Sequence, residues 1–146
     1  KLGCVFMSKE VNSNQQIVSR VSHFSDLKAW QLGHLVVLGV YKITQGFPKT
    51  EQFGLVSQMR RSAVSITSNL AEGFGRTSFK EKLHFYSYAH GSTTELENQL
   101  IISRDVQLIS EEQYRIFQGQ LTELGKITTG LMKSTQQRIN QVKPIY

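Results

Sequence analysis

Several chemistries are closed to this chain because it lacks the residues for them. It has one cysteine, Cys4, in 146 residues, so neither an internal disulfide framework nor a cysteine metal cluster can form. Its two prolines, Pro48 and Pro144, leave everything between them free of a helix breaker. The longest apolar run, around Leu35 to Tyr41, falls far short of the ~20 residues that cross a bilayer. No segment alternates apolar and polar residues for long, and Asn-Gly and Asp-Gly hairpin pairs are absent. The four histidines, His23, His34, His84 and His90, form no HExxH motif and no i, i+4 pair.

Catalytic constellations are missing in the same way. Glu95 and Glu97 lie about 200° apart on a helix, so they make no facing acid pair. Ser65 and Ser68 have no histidine nearby in sequence to activate them. The loop Gly73-Phe74-Gly75-Arg76-Thr77-Ser78 lacks the third glycine of a dinucleotide fingerprint and the GK[ST] of a P-loop. It reads as a helix stop, though free amides at the next helix start, beside Arg76 and Lys80, suit a phosphate group. The expectation is a non-enzyme with no cofactor and no metal.

What remains is an ordinary globular composition. Hydrophobic residues make up 39%, with a mean hydropathy of -0.27, and the length suits one domain with a real core. Residues 1–23 are expected to be an added leader followed by a loose arm or short extra helix. Lys1–Phe6 precede Met7, the expected native start. Residues 24–141 are expected to form the folded body and 142–146 a tail. The single cysteine fits a reducing cytosol, and the expected location is cytoplasmic, with no membrane partner.

The net charge is +6, unevenly spread. Residues 1–50 carry +4, 51–80 carry +2, 81–120 carry -3 and 121–146 carry +3. A basic chain with one acidic segment attracts polyanions or pairs with copies of itself.

Periodicity predicts four helices. The first runs from about Asp26 to Gln45, capped by Ser25, with Leu27, Trp30, His34, Val37 and Tyr41 as its seam and Leu35 and Leu38 widening it. His34 is expected at a core or interface. The second begins near Thr50 or Glu51 and ends at Gly73, with Gly73 and Gly75 read as sitting where a C-cap glycine belongs. At about 100° per residue, Leu55, Val56, Met59, Ala63, Ile66, Leu70, Ala71 and Phe74 fill half its circumference. A capping box Ser78-Phe79-Lys80-Glu81 opens the third, which reaches about Ile109. A second box, Ser110-Glu111-Glu112-Gln113, opens the fourth. Its seam, Tyr114, Phe117, Leu121, Leu124, Thr128, Leu131 and Thr135, steps by three and four. The fourth helix frays between Gln137 and Lys143. Four long helices on short turns make an all-α, antiparallel up-down-up-down four-helix bundle the economical architecture.

The polar half of the second helix stands out. It carries Gln58, Arg61, Ser65, Asn69, Glu72 and Arg76, joined by Ser62 and Ser68, and the short side chains of Ser62, Ser65, Ser68 and Asn69 stand where exposed helices favour Lys and Glu. The reading favoured is a polar seam between helices or subunits, with an exposed face as the competing one. Asn69, Glu72 and Arg76 are spaced to form a ladder. Glycines 33, 39, 91, 119, 125 and 130 fall inside the predicted helices, each costing up to ~1 kcal/mol against alanine. Gly91-Ser92 is the expected point of close contact.

Two blocks carry a family likeness. Gln58-Met59-Arg60-Arg61-Ser62-Ala63-Val64-Ser65-Ile66 with Ser68-Asn69-Leu70-Ala71-Glu72-Gly73 gives QxRRxxxSxxxNxAEG, and Gly91-Ser92-Thr93-Thr94-Glu95-Leu96-Glu97 gives GSxxELE. With Phe24 to Gln31, Phe47 to Leu55 and Phe85 to Ala89, residues 24 to 135 resemble the four-helix-bundle proteins encoded within intervening sequences of bacterial large-subunit ribosomal RNA genes. Thr67 stands where that family often has proline. The resemblance implies a ring-like homopentamer without enzymatic activity. It also implies kinship with the accessory proteins of diversity-generating retroelements, basic pentamers that bind a reverse transcriptase and nucleic acid. Arg60, Arg61, Asn69, Glu72 and Glu95 are the polar positions that match the family.

The function expected is therefore a basic oligomeric bundle that binds RNA or DNA. Lys42, Lys49, Arg60, Lys80, Lys126 and Lys133 would contact phosphates. The alternative is a protein-interaction scaffold, or an accessory subunit with a protein partner such as a reverse transcriptase, in which the Gln58, Arg61, Ser65, Asn69, Glu72, Arg76 and Glu95 seam serves assembly.

Overall fold

Helix punctuation and apolar spacing together account for the architecture seen in the computed structural model, which describes residues 21–141. Residues 1–20 and 142–146, and with them most of the expected leader, arm and tail, lie outside the described residues. Among those described there are four α-helices and no strand: α1 (Lys28–Thr44), α2 (Leu55–Gly75), α3 (Phe79–Asp105) and α4 (Glu111–Gln141). Single 3-10 turns at Phe24–Asp26 and Lys49–Glu51 precede α1 and α2. Each helix packs on the next, α4 also meets α1, and α2 with α3 form the most extensive pair. The core between them holds Val36, Val40, Met59, Ala63, Ile66, Leu70, Ala89, Leu96, Leu100, Leu121 and Leu124.

The α4 seam is as spaced: Tyr114, Phe117, Leu121, Leu124, Thr128 and Thr135 are buried, and Leu131 is half-buried. Ser110 caps it as the sequence implies. The Gln113 amide donates to Ser110 Oγ (3.1 Å), and the Ser110 amide donates to Gln113 Oε1 (2.9 Å).

α1 is rotated one residue from the predicted stripe. Ala29, Gly33, Val36, Val40 and Thr44 are buried, while His34, Leu35, Leu38 and Tyr41 are exposed. Small residues at 29 and 33 explain the shift, because they let α1 approach closely. A Cβ on Gly33 would lie 3.2 Å from Thr67 Cγ2 on α2, and one on Gly39 3.1 Å from the Phe117 ring on α4. Of the bulky stripe, Trp30 and Val37 are half-buried against the core while His34 and Tyr41 stay outside, with the His34 ring stacked on Trp30 at 5.0 Å. The cap differs as well. Asp26 accepts from the amides of Ser22 (3.0 Å) and His23 (2.9 Å), so the chain turns before Ser25 can cap α1.

The α2–α3 turn departs further. Gly73 lies inside α2, and no described glycine has a positive φ. Its role is spatial: a Cβ there would sit 2.7 Å from Tyr86 Cε1 and 3.1 Å from Phe85 Cβ. The open α2 carbonyls are met by Lys82, whose Nζ donates to the carbonyls of Gly73 (3.3 Å) and Phe74 (2.5 Å). The Ser78 side chain makes no capping bond, and Glu81 turns instead toward Arg76, 3.9 Å away. Nothing lies within 4 Å of where a Cβ on Gly91 would stand, so the expected close contact is not there.

α3 stops four residues short of Ile109. Leu108 N–H reaches back to Ser103 O (2.8 Å) and Gln107 N–H to Arg104 O (2.9 Å), with Gln107 left-handed at φ 63°. This is a Schellman closure, built here on glutamine where glycine is usual.

Candidate functional site

The α2–α3 pair concentrates the polar residues that the sequence singled out. As numbering rises along α2 it falls along α3: Ser62 meets Glu95, and Ser65 meets Ser92. Small side chains at these positions bring the helices together and leave a shallow outer groove of about 500 Å³. Arg61, Ser65 and Asn69 line it from α2, and Ser87, Tyr88, Gly91, Ser92 and Glu95 from α3.

A chain of hydrogen bonds forms its floor. Gln99 Nε2 donates to Ser62 Oγ (3.1 Å), and Ser62 Oγ donates to Glu95 Oε2 (3.2 Å). The Ser65 and Ser92 hydroxyls share a bond of 2.9 Å. Asn69 Nδ2 donates to Ser65 O (2.8 Å) and Oγ (3.1 Å). Ser62, Ser92 and Gln99 are buried, and such groups persist in a core only when bonded. Within this chain of bonds one atom breaks that rule: Gln99 Oε1 is buried and finds no partner.

The seam residues divide into two sets. Ser65 and Asn69, with Glu95, belong to the interhelical chain. Glu72 and Arg76 pair with each other on the surface, and Arg76 lies 4.7 Å over the Phe85 ring. The ladder from Asn69 to Glu72 is not formed; Asn69 turns back to Ser65 instead. Gln58 and Arg61 are exposed at the upper groove, beside Glu51, Glu95, Asn98 and Gln99. Among the described residues neither Arg61 nor Glu95 forms an ion pair.

Gln99 and Ser62 matter more than the sequence reading allowed. A signal was available for Gln99, which stands one helical turn after Glu95 on the same α3 face. Lys82 was also missed, because its partners lie eight and nine residues back across a turn. Burial lowers its pKa from the usual lysine value.

The six cations expected to meet phosphates are not gathered. Lys42 and Lys49 are exposed near the α1–α2 connection, Lys126 and Lys133 along α4. Lys80, also exposed, lies at the start of α3 beside Thr77, Ser78, Phe79 and Ile139. Arg60 is different: it is half-buried, its Nε donates to Thr44 Oγ1 (2.9 Å), and its guanidinium lies 4.6 Å over the Tyr41 ring. Its planar fork is already engaged within the fold.

Among the described residues no group of three or more His, Cys, Asp or Glu side chains is placed to hold a metal ion. No described helix is long and apolar enough to cross a membrane.

Comparison with known proteins places this geometry. The family model described as 23S rRNA-intervening sequence protein matches residues 25–130. A solved structure with the same fold comes from Bacteroides thetaiotaomicron VPI-5482, a protein of unknown function from the S23 ribosomal protein family. It shares 20% identity over 72% of this chain and 95% of that one, with a TM-score of 0.67. At that identity the likeness concerns the fold alone. No curated protein matches the chain.

Proposed function

We propose that this chain, which belongs to the 23S rRNA-intervening sequence protein family, is a non-enzymatic cytoplasmic homo-oligomer that binds RNA or DNA through phosphate contacts. The observation that carries the reading is how the cations are employed. Arg76, Arg104 and Arg115 pair with carboxylates. Arg60 and Arg138 lie over the rings of Tyr41 and Phe79. Lys28, Lys42, Lys49, Lys80, Lys126 and Lys133 are exposed and form no ion pair among the described residues. Apart from Arg61, the uncommitted positive charge therefore sits on hydrated lysine heads, which suit phosphate contact without base readout. Their scatter fits a long polyanion, and every added copy multiplies the field.

The contact registers support an up-down-up-down bundle, and the family resemblance supports a ring-like pentamer as its assembled form. A scaffold role without nucleic acid is the second reading, favoured by the unpaired Arg61 and Glu95 of the groove.

Fluorescence anisotropy with a structured RNA tests the first reading. If about five lysines engage phosphates, affinity falls on the order of a few hundredfold between 50 and 200 mM salt. Charge reversal at Lys126 and Lys133 should weaken binding and flatten that slope. No binding at 50 mM salt, or binding indifferent to salt, would sink the nucleic-acid reading and leave the scaffold.

A further inference from the structure

The geometry points to the α2–α3 groove as the face on which a second copy of this chain docks, with Arg61 of one copy pairing with Glu95 of the next. The inference rests on the oligomeric reading above and assigns it a surface.

Three observations converge on the groove. First, its two walls carry opposite charges. Arg61 stands on α2 and Glu95 on α3; both are exposed, both line the middle and upper groove, and neither is ion-paired among the described residues. A surface with a cation on one wall and an anion on the other is complementary to itself. In a ring the α2 wall of each copy faces the α3 wall of the next, which sets one Arg61 against one Glu95 at every interface.

Second, Gln99 is only 6% exposed, forms part of the upper groove wall, and has an Oε1 without a partner. An orphaned buried amide oxygen is costly, and a donor arriving at this wall removes the cost. The Arg61 guanidinium of a neighbour brings several N–H groups in a planar fork, enough for a carboxylate and an amide oxygen together. A small rearrangement of the wall is needed to admit it, since Oε1 is covered in the single chain.

Third, the groove is shaped for close approach. Ser65, Ser87 and Gly91 keep it shallow, and nothing lies within 4 Å of where a Gly91 Cβ would stand. Exposed Tyr88 and Ile102 border it with apolar surface, 52% and 41% accessible. A glycine on an exposed helix face is a net loss to the single chain. It is useful where another backbone comes near.

The test is molar mass by light scattering at one protein concentration, with circular dichroism to verify folding. The set is wild type, Arg61→Glu, Glu95→Arg, the double swap and Gly91→Leu. Each single swap should lower the mass at least twofold, and the double swap should restore it. Gly91→Leu should raise the melting temperature of the single chain yet abolish assembly, a split that loss of folding cannot imitate. An oligomer whose mass ignores both single swaps overturns this inference and leaves the oligomeric reading standing, as does a folded double swap that stays dissociated. A monomeric wild type overturns both.

Discussion

Replacing Gly73 with alanine sets two opposed effects against each other at one position. In an open helix interior the change gains about 1 kcal/mol, because glycine forfeits more backbone entropy. Gly73 is not open. It is buried in α2, and the new methyl would lie 2.7 and 2.9 Å from Cε1 and Cδ1 of Tyr86 and 3.1 Å from Phe85 Cβ. The Tyr86 ring is 3% exposed and has no free direction in which to swing. Overpacking of this kind costs about 1–3 kcal/mol. Subtracting the helix gain leaves Gly73→Ala destabilised by about 1 kcal/mol, with about 2 as the upper end. Gly130→Ala is the control: it lies within α4 with nothing inside 4 Å of its Cβ position. That variant should gain between about 0.5 and 1 kcal/mol. Urea unfolding at fixed protein concentration, followed by circular dichroism, measures both. A Gly73→Ala protein more stable than wild type, matching the gain of Gly130→Ala, would refute the close approach of α2 to the Tyr86 ring.

Two further outcomes follow from local backbone and charge. Gln107→Gly should stabilise the protein by up to about 1 kcal/mol, since a left-handed residue with a Cβ is strained where glycine is not. Urea midpoints that fall instead would mean that the Gln107 side chain contributes more than its backbone costs. Asp26 has its pKa lowered by the backbone amides of His23 and then Ser22. Its contribution is therefore complete above the unfolded value near 3.8 and disappears as pH falls through the lower folded value. The stability difference between wild type and Asp26→Asn should shrink as pH drops below that window, and an unchanged difference at acid pH would contradict the amide contacts.

Much of the fold was legible in residue spacing. The α4 seam could be read because one strong apolar stripe, with no rival on the same helix, leaves a single face to bury. Its Ser110–Gln113 box could be read because both partners lie within one turn. The α1 seam misled because its bulkiest stripe, Trp30, His34, Val37 and Tyr41, competes with a smaller one, Ala29, Gly33, Val36 and Val40. Helix approach selects the smaller, and hydrophobicity alone ranks the larger first. Ser78 misled for a related reason: its box pattern is intact, but Glu81 has Arg76 within reach and turns to it.

By itself the sequence determined the number of helices, the all-α class and the strip of short polar residues on α2, because each follows from local spacing and the absence of breakers. Only the tertiary structure decided what those residues meet. It set Ser62 and Ser65 of α2 against Glu95, Ser92 and Gln99 of α3, partners 27 to 37 residues away. It also gave the glycines unlike roles, crowding Gly73 against Tyr86 while leaving Gly91 open on the groove. The physical reason is that a helix periodicity specifies which residues share a face, whereas which face is buried, and against what, depends on how closely whole helices can approach.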